Sequence, residues 1–212
     1  MRSFTTSGAP GRCQRCLILQ AQCICASVPT VATRTEVLVV RHEREGWKST
    51  GTARIAQLAM PNLRIVEYGE DAEPAKSALP SEVANAHLLF PGEGAVTLSP
   101  SPLASRDPLP EGEGIRRLIV LDGTWRQTRK MFSKLPALHD VPKVQLPPGA
   151  AKVLRLREST FEEGRSTLEA IAEAIELLEG KDVAAPLYAL HSDYVERVFR
   201  ARGVWEQKRG QS

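Results

Sequence analysis

The stretch RRLIVLDGTW, residues 116–125, constrains the fold of this 212-residue chain more than any other. Its apolar residues are followed at once by Asp122, Gly123 and Thr124, and then by the helical pattern WRQTRKMFSKL. An apolar run bounded by turn residues predicts a buried strand, here over residues 116–124. Strands that lead directly into helices are typical of α/β domains with a parallel sheet.

The remaining chain repeats this alternation of strand and helix patterns. Apolar or branched runs predict strands over residues 35–43, 63–69 and 87–95, with shorter candidates at 143–148 and 152–158. Helices are predicted from Ser49 to Pro61, from Thr124 to Pro136, over 166–179 and over 186–202. Residues 96–114, rich in Pro, Ser and Gly, predict a loop or disordered insertion. The sequence therefore predicts a mostly parallel sheet flanked by helices.

Two details support the predicted helix at 166–179. Ser166 and Glu169 have the spacing of a capping box, in which each residue accepts a hydrogen bond from the backbone of the other. Gly180 follows the last apolar residue, and glycine is the usual residue just beyond a helix C-terminus.

All cysteines of the chain lie in one short N-terminal segment: Cys13, Cys16, Cys23 and Cys25. Four thiolates this close in sequence can surround one tetrahedral Zn²⁺, although the second pair is tighter than the usual two-residue spacing. A redox pair and four reduced thiols are the alternatives. Because no histidine lies nearby, we expect a structural zinc rather than a catalytic metal.

Composition narrows the class of protein only in part. The hydrophobic fraction of 42% and the charged fraction of 25% are those of an ordinary folded protein. A net charge of +3 does not decide whether the chain binds nucleic acid. No apolar run is long enough to span a bilayer, and the N-terminus lacks the apolar core of a secretory signal. These features predict a cytoplasmic monomer that neither binds a membrane nor needs an obligate protein partner.

Three predicted strands end in residues that suit a ligand site: His42, the PGEG loop at 91–94, and Asp122 with Gly123. Ligands of open parallel sheets bind beyond the carboxyl ends of the strands, so one shared site is predicted there. From the residues alone, a second interpretation stays open. Thr124 is equally suited to cap an ordinary helix that places Trp125 in the core.

The motif LDGTWRQTRKM resembles the signature of the DTW-domain family, whose Asp-x-Thr-Trp pattern is reproduced by Asp122, Thr124 and Trp125. The resemblance covers nearly the whole chain, including the cysteines at 13–25, LLFPGEGA at 88–95 and LRLRES…STLEA at 154–170. The segment 42–53 also resembles the family pattern. It departs from that pattern at three positions: Glu43 replaces Pro, Gly51 replaces Asn and Ala53 replaces Gly.

The resemblance implies a tRNA-uridine aminocarboxypropyltransferase with a SPOUT-like fold, in which a trefoil knot would lie in the C-terminal part. Such an enzyme transfers the 3-amino-3-carboxypropyl group of S-adenosyl-L-methionine (SAM) to N3 of a tRNA uridine, and methylthioadenosine leaves. The expected organisation is a zinc-binding motif at residues 1–30 followed by a catalytic domain at 31–212. A SAM-dependent RNA methyltransferase and a non-catalytic, zinc-containing RNA-binding protein are the alternative functions.

The resemblance also implies roles for individual residues. Asp122, Thr124 and Trp125 are the expected catalytic residues, with Asp122 acting as a general base, orienting the uracil or holding the α-ammonium of SAM. Trp125 would stack on adenine or uracil, or lie near the sulfonium. The expected SAM-binding residues are Leu89, Phe90, Pro91, Gly92, Leu121, Gly123, Trp125, Ser166 and Thr167.

Arginine and lysine side chains near these motifs are the expected contacts to RNA phosphates. On the helix after Trp125 these are Arg126, Arg129 and Lys130, for which a solvated helix face is the alternative. Arg155 and Arg157 alternate along a predicted strand and form a second candidate pair.

Overall fold

A computed structural model describes residues 11–69, 73–101, 114–149, 156 and 164–209. Six strands form one sheet: β1 (Glu36–His42), β2 (Leu63–Tyr68), β3 (Ala86–Leu89), β4 (Val96–Thr97), β5 (Arg117–Asp122) and β6 (Lys143–Gln145). Seven α-helices accompany them: α1 (Glu43–Gly46), α2 (Thr52–Ala59), α3 (Glu73–Glu82), α4 (Trp125–Lys134), α5 (Thr167–Glu179), α6 (Lys181–Ala201) and α7 (Trp205–Arg209). Short 3-10 turns span Gln20–Gln22 and Pro136–Leu138.

The strands are ordered β2-β1-β5-β3-β6-β4, and every neighbouring pair is parallel. β5 lies inside the sheet, where Leu121 is paired with Val40 of β1 and Val120 with Leu89 of β3. The predicted α/β class with a parallel sheet is therefore confirmed. The SPOUT-like knot stays a prediction.

Alternate residues of the central strands face opposite sides of the sheet, and each side is covered by helices. On one side, Val39 and Leu118 belong to a core cluster that includes buried residues of α2, α5 and α6. On the other side, Leu38 and Ile119 belong to a cluster with α3 and α4. Burial on both faces explains why the strands read as continuous apolar runs rather than as alternating patterns.

Several element boundaries differ from the predicted ones. β3 ends at Leu89, before Pro91 and the two glycines that interrupt its pattern, and β4 lies in the predicted loop at 96–114. α2 begins at Thr52 rather than Ser49. The strand candidate at 152–158 lies, except for Leu156, outside the described residues.

The sequence did not predict α3, and it placed the start of α6 five residues too late. Both helices contain a proline, Pro80 in α3 and Pro186 in α6, which argues against a helix in a sequence pattern. Packing overrides that preference in α3, where Ala75 and Leu79 are fully buried. Pro186 is the sixth residue of α6, beyond the first turn, and there too the packing of buried side chains such as Leu187 and Leu190 overrides the preference.

No described helix combines the length and the apolar character needed to cross a membrane.

Candidate active site

The candidate site lies at the carboxyl edge of the sheet, where β1 and β5 end beside each other. Arg41, the next-to-last residue of β1, is paired with Asp122, the last residue of β5. A Cβ atom placed on Gly123 would lie 3.6 Å from Cβ of His42, so the residue that follows β5 lies beside the last residue of β1. The His42 imidazole Nδ1 accepts a hydrogen bond from the Arg44 N–H and caps α1. His42 thus has a structural role at this edge.

Asp122 is brought to the N-terminus of α5 by a direct hydrogen bond. The Thr167 hydroxyl donates to Asp122 Oδ1 at 2.5 Å. Asp122 is only 6% exposed, so this contact lies in the interior of the site. The structure therefore joins the Asp-x-Thr-Trp motif to the Ser166-Thr167 motif, as a shared site requires.

Thr124 does cap α4, as the simpler interpretation of the motif predicts. Its hydroxyl accepts from the Gln127 N–H at 3.4 Å, and its own N–H donates to Gln127 Oε1 at 2.7 Å. A Cβ atom on Gly123 would lie 3.1 Å from Cβ of Gln127, which explains why glycine occupies this position. Trp125, however, is half-buried rather than a core residue. Its ring is stacked with Phe90 at a centroid distance of 5.3 Å.

The predicted capping box at α5 is confirmed, and it limits how many amides this helix end offers to a ligand. The Glu169 N–H donates to Ser166 Oγ at 3.3 Å, and the Leu168 N–H donates to Thr52 Oγ1 at 3.2 Å. Two of the first three amides of α5 thus already have acceptors within the protein. An anionic ligand at this end would depend mainly on the Thr167 N–H and on side-chain donors.

His191 is a residue of this region that sequence reasoning did not identify. It lies on α6, is 1% exposed, and its Nε2 atom is 2.9 Å from Ser166 Oγ. Burial lowers the pKa of His191 to about 4, so its imidazole is neutral near pH 7. A single histidine within an amphipathic helix gives no spacing signal, and only the packing of α6 on α5 shows its partner.

The segment after β3 borders the same site through Phe90. The Phe90 N–H donates to the Val144 carbonyl at 2.9 Å, which fixes the end of β3 against β6. Beyond it the PGEG loop is exposed, and Gly94 has a φ of 76°, a conformation that favours glycine. The structure therefore places Phe90 next to Trp125, with Leu89 at the end of β3 and with Pro91 and Gly92 on the exposed loop that follows.

The predicted RNA-contacting residues of α4 are exposed. Arg126, Arg129 and Lys130 all point away from the core, and the Arg129 guanidinium carbon lies 5.9 Å from the Trp125 ring centroid. The second candidate pair, Arg155 and Arg157, lies outside the described residues.

The four cysteine sulfur atoms form one compact cluster, in which all lie within 4.8 Å of one another. The Sγ atoms of Cys13 and Cys25 are 3.7 Å apart, and those of Cys16 and Cys23 are 3.8 Å apart. A tetrahedral site with Zn–S bonds of about 2.3 Å has sulfur–sulfur edges of about 3.8 Å. A disulfide would need about 2.05 Å, so the cysteines are free thiols in a geometry that fits a metal ion.

Two opposite effects act on the thiols of this cluster. The Cys16 N–H donates to the Cys13 sulfur and lowers the pKa of Cys13 to about 6, while burial raises the pKa of Cys25. A bound cation would stabilise all four sulfur atoms as thiolates.

The cysteine segment is anchored on α6. The Arg197 guanidinium donates to the Cys23 carbonyl at 2.9 Å, and the Ser27 hydroxyl donates to Asp193 at 3.1 Å. Ile18 and Ile24 are buried in the core cluster that also contains residues of α5 and α6. A folded cysteine segment therefore stabilises α5 and α6 through these contacts, and α5 begins at the candidate site.

A family model for the DTW domain matches residues 11–201. Among curated proteins, the tRNA-uridine aminocarboxypropyltransferase 2 of Drosophila melanogaster is 26% identical over 175 residues, covering 80% of this chain and 67% of that protein. Proteins of the same name from Macaca fascicularis and Mus musculus are each 26% identical over 192 residues, covering 85% of this chain and 62% of theirs. The chain thus spans about two thirds of the length of these relatives. No solved structure matches it.

Proposed function

The chain belongs to the DTW domain family, and on that premise we propose that it transfers the 3-amino-3-carboxypropyl group of SAM to N3 of a uridine in tRNA. The names of its relatives support a tRNA uridine as the acceptor. The observation that carries the proposal is the hydrogen bond between Thr167 and Asp122. Through this bond the acid of the Asp-x-Thr-Trp motif lies beside the N-terminus of α5 at the carboxyl edge of the sheet, and ligands of open parallel sheets bind at such edges.

The reaction makes one bond and breaks one bond. The uridine N3 attacks the γ-carbon of the methionine part of SAM, and the bond from that carbon to sulfur breaks. The electron pair stays on sulfur, so methylthioadenosine leaves as a neutral molecule. The N3 proton must be removed, and the protein must present the γ-carbon rather than the methyl group to the base.

We assign Asp122 one of two roles: it removes the N3 proton of the uridine, or it binds the α-ammonium of SAM. Its carboxylate is buried, and Thr167 fixes one of its oxygens by donating a hydrogen bond. A carboxylate held in this way accepts a proton or a charged N–H with little reorganisation. Thr167 is accordingly a positioning residue for Asp122.

The remaining SAM contacts follow from the same edge of the sheet. The half-buried face of Trp125 suits an aromatic base or the sulfonium. Leu121 and Gly123 lie where β5 ends, and in this proposal they line one border of the SAM site. Leu89, Phe90, Pro91 and Gly92 form the opposite border. The Thr167 N–H and the Ser166 hydroxyl are the groups that we assign to the methionine carboxylate.

Zinc in this proposal is structural. Cys13, Cys16, Cys23 and Cys25 would hold it, and the bound ion would keep their segment folded against α6. No step of the transfer is assigned to it.

One assay tests the proposal. Purified protein is incubated with tRNA and SAM, and the tRNA is then digested to nucleosides. The nucleosides and the by-product are identified by mass spectrometry. We expect methylthioadenosine together with a uridine that has gained an aminocarboxypropyl group. S-adenosylhomocysteine would instead identify a methyltransferase, and RNA binding without turnover would identify a binding protein. Asp122→Asn is expected to slow product formation by about 100-fold or more if the carboxylate is the base. Asp140→Asn, a change at an exposed carboxylate, serves as the matched control.

A further inference from the structure

Four aromatic rings run along α4 from its first turn towards its last. Trp125 and Phe90 are stacked at 5.3 Å with 22° between the ring planes, and Phe90 and Phe132 are stacked at 5.1 Å and 18°. The His139 ring follows, 5.2 Å from that of Phe132. The first three rings are half-buried and His139 is exposed. These four residues form a partly exposed surface that we name the aromatic ledge.

Positive side chains flank the aromatic ledge at both ends. The Lys143 ammonium lies 5.2 Å from the centroid of the Phe132 ring, and the Arg129 guanidinium carbon lies 5.9 Å from that of Trp125. Both distances are in the range of cation–π contacts. Further exposed cations of α4 are Arg126, Lys130 and Lys134.

Within the part of the chain that the structure describes, no ion pair neutralises this charge. Residues 123–139 contain no Asp or Glu, and no ion pair between described residues involves a cation of α4 or Lys143. Elsewhere arginines are paired, as Arg165 is with Glu173 at 2.5 Å. The charge around the aromatic ledge is therefore complementary to a polyanion.

We propose that the aromatic ledge binds unpaired nucleotides next to the target uridine, with bases against its rings and phosphates near Lys143 and the α4 cations. The identity of the RNA rests on the proposed function. Bases of a double helix are stacked on one another and hidden from side chains, whereas unpaired bases stack on aromatic rings. The combination of rings and cations is that of surfaces that bind single strands.

The residues of the ledge come from separate parts of the chain. Phe90 ends β3, Trp125 and Phe132 lie on α4, and His139 and Lys143 flank the turn into β6. Sequence reasoning assigned Arg126, Arg129 and Lys130 to RNA and assigned Phe90 and Trp125 to the SAM site. It did not identify Phe132, His139 or Lys143. The aromatic part of the surface appears once the sheet places β3, α4 and β6 side by side.

Fluorescence anisotropy tests the inference without SAM, by measuring Kd for a single-stranded RNA and for a duplex of the same sequence. Phe132→Leu keeps an apolar side chain but removes the ring, and we expect the single strand to bind about ten-fold more weakly while the duplex changes by less than about two-fold. Lys143→Gln should lower the slope of log Kd against log salt by about 0.7, the value for one lost phosphate contact.

Arg200→Gln is the matched control, because Arg200 also lies over a ring, that of Trp205 at 5.6 Å, but is paired with Glu196. It should leave both affinities unchanged. Wild-type affinity of Phe132→Leu for the single strand, or an equal loss for both RNAs, would overturn the inference. If Phe132→Leu lowers the melting temperature, its loss of affinity cannot be assigned to the ring, and the test then depends on Lys143→Gln. A salt slope in Lys143→Gln equal to that of the wild type would also overturn the inference.

The inference and the proposed function fail in different ways. If the wild-type protein releases methylthioadenosine with tRNA but the ledge variants bind RNA normally, the proposed function is supported and the role of the aromatic ledge is contradicted. If the wild-type protein prefers single strands through the aromatic ledge but releases no methylthioadenosine, the role of the ledge is supported and the proposed function is contradicted.

Discussion

The Thr167 hydroxyl donates to Asp122 Oδ1 across a gap of 45 residues in the sequence, at 2.5 Å. This contact joins the end of β5 to the start of α5, and so holds together the two motifs to which we assign the SAM site. A threonine hydroxyl that donates to a buried carboxylate fixes its orientation.

Variants of this pair separate the roles proposed for Asp122. We expect Asp122→Asn to lower kcat by about 100-fold or more if the carboxylate is the base, because general-base catalysis contributes at least that much. If it holds the α-ammonium, KM for SAM should rise instead. Steady-state release of methylthioadenosine measures both parameters.

Thr167 should act through Asp122. Thr167→Val removes the donor and should lower kcat/KM by about ten-fold, the effect of a hydrogen bond to a charged group. Thr167→Ser keeps the hydroxyl and should restore activity to within about two-fold. A serine variant as impaired as the valine variant would show that the methyl group, not the hydrogen bond, matters.

Thr52 is expected to contribute to stability through the N-terminus of α5. Its hydroxyl accepts the Leu168 N–H in the interior at 3.2 Å. Thr52→Val leaves this N–H without its acceptor, and the free energy of unfolding should fall by about 1–3 kcal/mol. Thr52→Ser should recover most of the loss in urea unfolding, whereas equal losses in both variants would contradict the role of the hydrogen bond.

Metal removal should destabilise the protein, because the cysteine segment packs on α6. We expect one zinc per chain by elemental analysis, and a melting temperature at least about 5 °C lower after chelation or in Cys16→Ser. Re-addition of Zn²⁺ should restore the chelated wild type but not the variant. Protein purified without metal and with an unchanged melting temperature on zinc addition would contradict the structural site.

Patterns of residues close in sequence predicted much of this fold. The elements that those patterns failed to predict depend on contacts between segments far apart in sequence. β5, the capping box at Ser166 and the cysteine cluster each depend on residues close in sequence, and the structure contains all three. α3 was missed because Pro80 opposes a helix locally, and only burial of its apolar face stabilises it.

The same distinction applies to the site. Asp122 and Trp125 were found because they lie where β5 ends and α4 begins, and because their motif resembles that of the DTW-domain family. Thr52 and His191 were not assigned to the start of α5, because their partners are 116 and 25 residues away in sequence. No single-sequence pattern encodes such pairs.

His191 should make stability depend on pH. Burial lowers its pKa to about 4 in the folded protein, against 6.5 as the ordinary value. Between these values the unfolded chain binds a proton that the folded protein does not, so stability is full above about pH 6.5 and is lost as the pH falls towards 4. The difference corresponds to about 3 kcal/mol.

His191→Gln removes the titrating group, and it should flatten the dependence of the unfolding free energy on pH between about 4 and 6.5. Burial also lowers the pKa of His42 and of His87, so a smaller slope should remain in His191→Gln. Urea unfolding at a series of pH values measures these slopes, and a wild-type slope in His191→Gln would show that His191 is not the group that titrates.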